Sequence, residues 1–130
     1  MAEILSLAYY GDAVIELMTR EYLINNNDYA PGKLVKRSKE FVTCEAQSDA
    51  LERIMNLLSE DEMNIYRRGR NAKTHFTPKH GEVIQYRRAT GFEALFGYLF
   101  NIGKKERAKE LFKAAYAELL TDKSSAENTP

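Results

Sequence analysis

Residues 90–101 read TGFEALFGYLFN. Phe92, Ala94, Leu95, Phe96, Tyr98, Leu99 and Phe100 leave almost no polar side on a helix of this sequence. A helix that is apolar all round belongs in the middle of a domain, with neighbours packed on every face. One charge interrupts it, Glu93. Thr90, Glu93 and Gly97 are spaced by three and four, so they share one face with small neighbours. A carboxylate buried there costs on the order of several kcal/mol unless a cation, a metal or several donors meet it, or its pKa rises until it is neutral.

The pattern on either side is also helical. Ile4, Leu7, Val14, Met18 and Tyr22 recur at three-to-four spacing, and Gly11 falls on the same stripe. Asn25, Asn26, Asn27 and Asp28, then Pro31 and Gly32, predict the end of this helix and a loop. Helical pattern resumes near Lys33, and Val42, Ala46, Ala50, Ile54 and Leu57 mark a long amphipathic face. Ser59 and Glu62 have capping-box spacing and open a helix that runs to about Arg70. Residues 71–81, NAKTHFTPKHG, read as a loop broken by Pro78 and Gly81. The apolar helix extends from about Glu82 to Asn101, with Arg88 a candidate break point. Ala108, Leu111, Phe112, Ala115 and Leu119 form the face of a last helix. The reading is one all-α domain over 1–121, of six or seven helices, with a polar tail over 122–130 that frays.

A chain of 130 residues with 44% hydrophobic and 29% charged side chains has the balance of a soluble globule. No apolar run approaches the roughly 18 residues of a membrane span, and no basic leader precedes Glu3. The single cysteine, Cys44, allows no internal disulfide, so a reducing cytoplasm is the expected setting. Net charge is zero but uneven: between Arg67 and Arg88, seven basic side chains stand against Glu82 alone, a local charge of +6. Such a segment is either a solvated face or a surface for an anionic partner. His75 and His80 lack the neighbours of a zinc site and read as loop histidines. Lys33, Lys36, Arg37 and Lys39 form a second basic cluster, expected on a solvated helix face.

A second carboxylate breaks a helix pattern in YGDAVIE, residues 10–16. Gly11 on the buried stripe lets another backbone come close, which places the short Asp12 side chain at a helix–helix seam. Ala8, Asp12 and Glu16 share the face beside that stripe. If the seams of Gly11 and Gly97 are one seam, Asp12 and Glu93 converge. Two carboxylates with water in the remaining positions suit Mg²⁺ or Mn²⁺. The other arrangement pairs Glu93 with Arg87 or Arg88 and lets Asp12 cap or bond locally. Spacing alone does not choose between them.

The same residues resemble a known family. YGDAVIEL is similar to the signature helix of ribonuclease III, of the form L-G-D-[SA]-V-L-E-L. TGFEALFGYLF resembles that family's second catalytic helix, and GKLVKRSKEFVTCEAQSDAL resembles the helices that link the two. Leu5, Ala8 and Thr90 stand where the larger enzymes place further acidic residues. That reduced set, the loop RGRNAKTHFTPKH, the run YRRATGFEALFGYLF (with Ala89 in place of a serine) and the lack of a following double-stranded-RNA-binding domain are similar to the small Mini-ribonuclease III branch.

The resemblance implies a homodimeric, Mg²⁺-dependent (Mn²⁺ also suits) endoribonuclease that cuts double-stranded RNA and matures the precursor of 23S ribosomal RNA. It implies Asp12 and Glu93 as catalytic metal ligands, with Glu16 structural. Arg67, Arg68, Arg70, Asn71, Lys73, Thr74, Lys79 and His80 are then the expected RNA contacts, following phosphates rather than bases. A non-catalytic RNA-binding or ribosome-associated protein of the same fold is the alternative. An all-α nucleotide pyrophosphatase is a remoter one, because its carboxylate clusters are matched only by SEDEMN, residues 59–64, which reads better as an acidic helix start.

Overall fold

The computed structural model describes residues 2–26, 30–73 and 82–120. Helix α1 spans Ile4–Asn26, α2 Pro31–Val42, α3 Cys44–Ile54, α4 Glu60–Asn71, α5 Glu82–Asn101 and α6 Lys105–Ala115, with a short 3-10 turn at Met55–Leu57. A last helical turn covers 117–120. Among the described residues there is no strand, as the all-α reading expects. The expected loop from Thr74 onward and the tail over 122–130 lie outside the described residues.

Helix α5 is the axis of the domain. Its buried positions, Ala89 to Phe92, Ala94 to Gly97 and Leu99, cover nearly the whole circumference. It packs against α1, α3, α4 and α6. It runs unbroken through Arg88, and the structure thus corrects the candidate break there. From Ala89 onward its apolar positions are buried, while Arg88 itself reaches Glu52 on α3 at 3.6 Å. Gly103, at φ +80°, ends the helix: Lys104 N–H donates to Leu99 O at 2.8 Å and Gly103 N–H to Phe100 O at 3.1 Å. This left-handed stop satisfies carbonyls that would otherwise be orphaned.

Two boundaries differ from the sequence reading. Pro31 and Gly32 are the first turn of α2 rather than loop, since proline at the first helical position lacks only an N–H that would be unpaired anyway. The long face from Val42 to Leu57 is broken at Thr43, whose hydroxyl accepts from Ala46 N–H at 3.2 Å and starts α3. Leu57 is consequently exposed. The capping box forms as expected: Ser59 N–H donates to Glu62 Oε1 at 2.8 Å and Glu62 N–H to Ser59 Oγ at 3.2 Å. Arg37 departs from the solvated face expected of the basic cluster: it is 9% exposed and lies 3.5 Å from Glu40.

Behind α5 the core is aromatic. Phe41, Phe92, Phe96, Phe112 and Tyr116 are buried together, with Phe41 and Tyr116 centroids 5.0 Å apart. The Tyr116 hydroxyl donates to Phe41 O at 2.7 Å, which satisfies its one polar atom in the core.

Helices α1 and α5 cross with their backbones in contact. A Cβ placed on Gly11 would lie 1.6 Å from Glu93 O, and one on Gly97 would lie 1.9 Å from Leu7 O. Both contacts are backbone, so no side-chain rearrangement relieves them. Gly11→Ala and Gly97→Ala are therefore each expected to destabilise the fold by ~3 kcal/mol or more. Gly32→Ala meets nothing within 4 Å and is expected to be neutral or stabilising by ~0.5–1 kcal/mol. Urea denaturation of the three variants checks this, and equal effects would refute the backbone crossing.

Candidate active site

The α1–α5 crossing decides where the carboxylates lie. Asp12 follows Gly11, and the Glu93 carbonyl is the very group that Gly11 accommodates. Asp12 is exposed and Glu93 half-buried. The backbone contact at Gly11 brings the two acids close enough for Asp12 to act on the Glu93 carboxyl. Desolvation first, then the nearby Asp12 charge and a hydrogen bond with it, push the Glu93 carboxyl up to about 8. The Gln47 amide on α3 opposes this weakly, though its Nε2 makes no hydrogen bond of ordinary geometry.

The alternative pairing of Glu93 with an arginine is not formed. Arg88 is engaged with Glu52, and Arg87 is exposed. Asp12 lies in the middle of α1, too far from its start to cap it. Glu16 accepts from Arg20 at 3.1 Å, an exposed pairing within one helix. Leu5 is half-buried; Ala8 and Thr90 are buried, and Thr90 Oγ1 donates to Tyr86 O at 3.0 Å. None of these three positions offers a further acidic ligand. Among the described residues no group of three His, Cys, Asp or Glu side chains is gathered around one point.

Two facing hard oxygen donors, one of them destabilised as an anion by the other, fit a divalent cation that keeps several waters. A cation held by both would offset the desolvation and the repulsion that together raise Glu93. The same donors do not fit zinc, which favours nitrogen and sulfur ligands in closed tetrahedral sets. Cys44, in the first turn of α3, is no substitute ligand: burial, then the charges of Glu93 and Glu82, raise its thiol and keep it protonated.

The expected RNA-contacting residues divide into three groups. Arg67, Arg68 and Asn71 line one open hollow with Asn64 and Ile4, where the last turns of α4 meet the start of α1. Lys73 is exposed just beyond that helix. Arg70 is half-buried instead; its guanidinium sits 5.6 Å from the Tyr66 ring centroid and Nε donates to Asn71 Oδ1 at 3.1 Å. Thr74, Lys79 and His80 lie outside the described residues. The acidic start of α4 holds one feature that spacing did not reveal. Glu62 is 5% exposed and receives two bonds from Arg107, Nε and Nη2 each at 2.9 Å. The Arg107 hydrogen bonds hold its carboxyl below the ordinary carboxylate range.

Comparison with known proteins gives the family. Residues 5–103 match the model of the ribonuclease III domain. The chain belongs to the ribonuclease III family, and it is an endoribonuclease of that family. Within it, the chain is similar to proteins named Mini-ribonuclease 3. The one from Thermoanaerobacter is 45% identical over 109 residues, covering 84% of this chain and 77% of that protein. The one from Brevibacillus brevis is 42% identical over 113 residues, covering 87% and 84%. The crystal structure of protein FN1578 from Fusobacterium nucleatum superposes with a TM-score of 0.76 at 33% identity, covering 85% of this chain and 88% of that one.

The carboxyl pair sets a pH dependence for the metal-free protein. Glu93 ionises near 8 in the folded state and near its ordinary 4.5 when unfolded. Between those values the folded state binds more protons, so this contribution to stability is full below about 4.5 and lost as pH rises through 8. With solvent access discounted, the loss is on the order of 3 kcal/mol. Glu93→Gln should flatten that fall in chelator, as measured by denaturant midpoints between pH 5 and 9. An unchanged slope in the variant would show that Glu93 is not the titrating group.

Proposed function

We propose that this endoribonuclease cuts double-stranded RNA with a divalent cation, Mg²⁺ or Mn²⁺, held by Asp12 and Glu93. The observation that carries this is the meeting of two carboxyl groups at a backbone crossing, beside a helix end bearing exposed arginines. A bound cation would acidify water and neutralise charge on the phosphate and the departing 3′-oxygen. The protein's own parts do the rest. Asp12, in the open, faces substrate; Glu93, less exposed, stands on the central helix α5. The two are held a fixed distance apart because neither backbone can move away from the glycine crossing. With only two carboxylates in the site, waters and phosphate oxygens fill the other positions.

Arg67, Arg68, Asn71 and Lys73, with Arg70, Thr74, Lys79 and His80, form the RNA surface in this reading. Cationic side chains on a helix end and the following segment suit a duplex read through phosphates and shape. The products would carry 5′-phosphate and 3′-hydroxyl ends with short 3′ overhangs, and the natural substrate would be the 23S ribosomal RNA precursor in the cytoplasm. Among the described residues no helix is long and apolar enough to cross a membrane.

A homodimer completes the proposal. Tyr9, Leu17 and Ile24 are 84%, 49% and 63% exposed and, with Ala13, run along the outer face of α1. Tyr9, Tyr10 and Ala13 also border the hollow that holds Asp12. An apolar stripe next to the site is a natural two-fold contact, and paired sites suit the two antiparallel strands of a duplex.

The reading is tested by cleavage of a long RNA duplex in Mg²⁺. Asp12→Asn and Glu93→Gln are each expected to lower cleavage by more than ~100-fold, beyond the loss typical of a group that only supports a ligand. Wild-type activity in either variant, or cleavage by the native protein in chelator, would refute it. Arg67→Ala and Arg68→Ala should each weaken binding and reduce the slope of log K against log salt by about 1. Tyr9→Glu should leave the fold intact and yield a monomer in sedimentation; an unshifted dimer would move the contact elsewhere.

A further inference from the structure

Gln47 is 2% exposed on α3, the helix that packs against α5 behind the carboxyl pair. Its Nε2 is fully buried and forms no hydrogen bond of ordinary geometry. A buried donor in that state costs on the order of 1–3 kcal/mol. A leucine or methionine would fill the same volume without that cost, so packing does not explain the amide. The acceptor that the amide approaches is the Glu93 carboxylate. The Glu93 carboxyl group also faces Asp12.

We propose that Gln47 is a positioning residue: its Nε2 donates to Glu93 once Asp12 and Glu93 close on a divalent cation, and so fixes which Glu93 oxygen faces the cation. This rests on the assignment of Asp12 and Glu93 as the ligands. A carboxylate ligand leaves lone pairs that point away from its cation, and in a protein these take hydrogen bonds from the surrounding side chains. Among the described residues the site has no third acidic group to share the work. The orientation of Glu93 therefore depends more heavily on neutral donors than it would in a richer site. Gln47 is suited to this because its amide carries no charge and adds none to a pair that already repels. Its burial also prevents water from competing for the donor.

The test uses RNA-free protein and Mn²⁺ alone, titrated calorimetrically into wild type, Gln47→Leu, Gln47→Met and Asp12→Asn. Both Gln47 variants should fold, with a metal-free melting temperature equal to or above wild type, and bind Mn²⁺ ~10-fold or more weakly. Their duplex cleavage should fall at low Mg²⁺ and recover at high Mg²⁺, with RNA affinity in chelator unchanged. Wild-type Mn²⁺ affinity in both variants would overturn the proposal. So would a marked drop in melting temperature in both, which would make the amide a structural group. Mn²⁺ binding by Asp12→Asn at wild-type strength is a separate result: it would overturn the ligand assignment itself, and this proposal with it.

Discussion

The proposed site depends on the contact between the backbones of α1 and α5. Helices normally stand 8–10 Å apart, separated by side chains. Here Gly11 and Gly97 remove that spacer from both sides, and each faces the other helix's main chain. The crossing does two things at once. It lets two short acidic side chains meet without long, mobile stems, and it prevents them from moving apart when their charges repel. A pair of carboxylates on ordinary helices would relax by rotation or by a small separation. At this crossing separation would open a void in the core, and closer approach is blocked by backbone. Burial first, and then the retained repulsion from Asp12, raise the Glu93 pKa.

The two acids are not equivalent. Asp12 sits on the outer side of α1 in an open hollow, while Glu93 belongs to a helix buried on nearly all sides. Burial disfavours the charged form of Glu93, and the neighbouring Asp12 adds to that. Leu5, Ala8 and Thr90 make the site small. Ala8 and Thr90 are also packed: Ala8 lies against Ile65 and Ala94, and Thr90 is turned into its own helix. The reduction in acidic residues is therefore also a gain in core contact.

Much of this is legible in the sequence, for identifiable reasons. The central position of α5 follows from an apolar circumference, and the capping box at Ser59 from spacing alone. The Gly11 seam is readable because a glycine on the buried stripe of a helix leaves room for a second backbone and little else. Other features are hidden because they depend on a second element. Arg37 reads as a solvated lysine-like charge until α2 is placed. Glu62 reads as one of three acids at a helix start until Arg107, 45 residues later, arrives to bind it. Gln47 has no periodicity that distinguishes it from its neighbours; only the packing of α3 on α5 gives it meaning. Pro31 and Thr43 are ambiguous for a local reason: each can end one element or begin the next.

The placement of α4 then connects binding to chemistry. Its start is fixed by the half-buried ion pair of Glu62 with Arg107, which also donates to Leu57 O at 2.8 Å and so ties α6 to the preceding turn. Farther along, Gly69 would carry a Cβ only 2.8 Å from Ala94 and 2.9 Å from Gly91 Cα, so the last turns of α4 lie directly on α5. Ala94 is the residue after Glu93. The helix that presents Arg67, Arg68 and Asn71 is thus set against the same stretch of α5 that presents Glu93, with close contact in place of flexible side chains. A basic surface on a long tether would gather RNA near the site but leave its phosphates unaligned. Here the spacing between the arginines and the carboxylates is set by helix packing, and a rigid duplex can be held in register with the groups proposed to cut it.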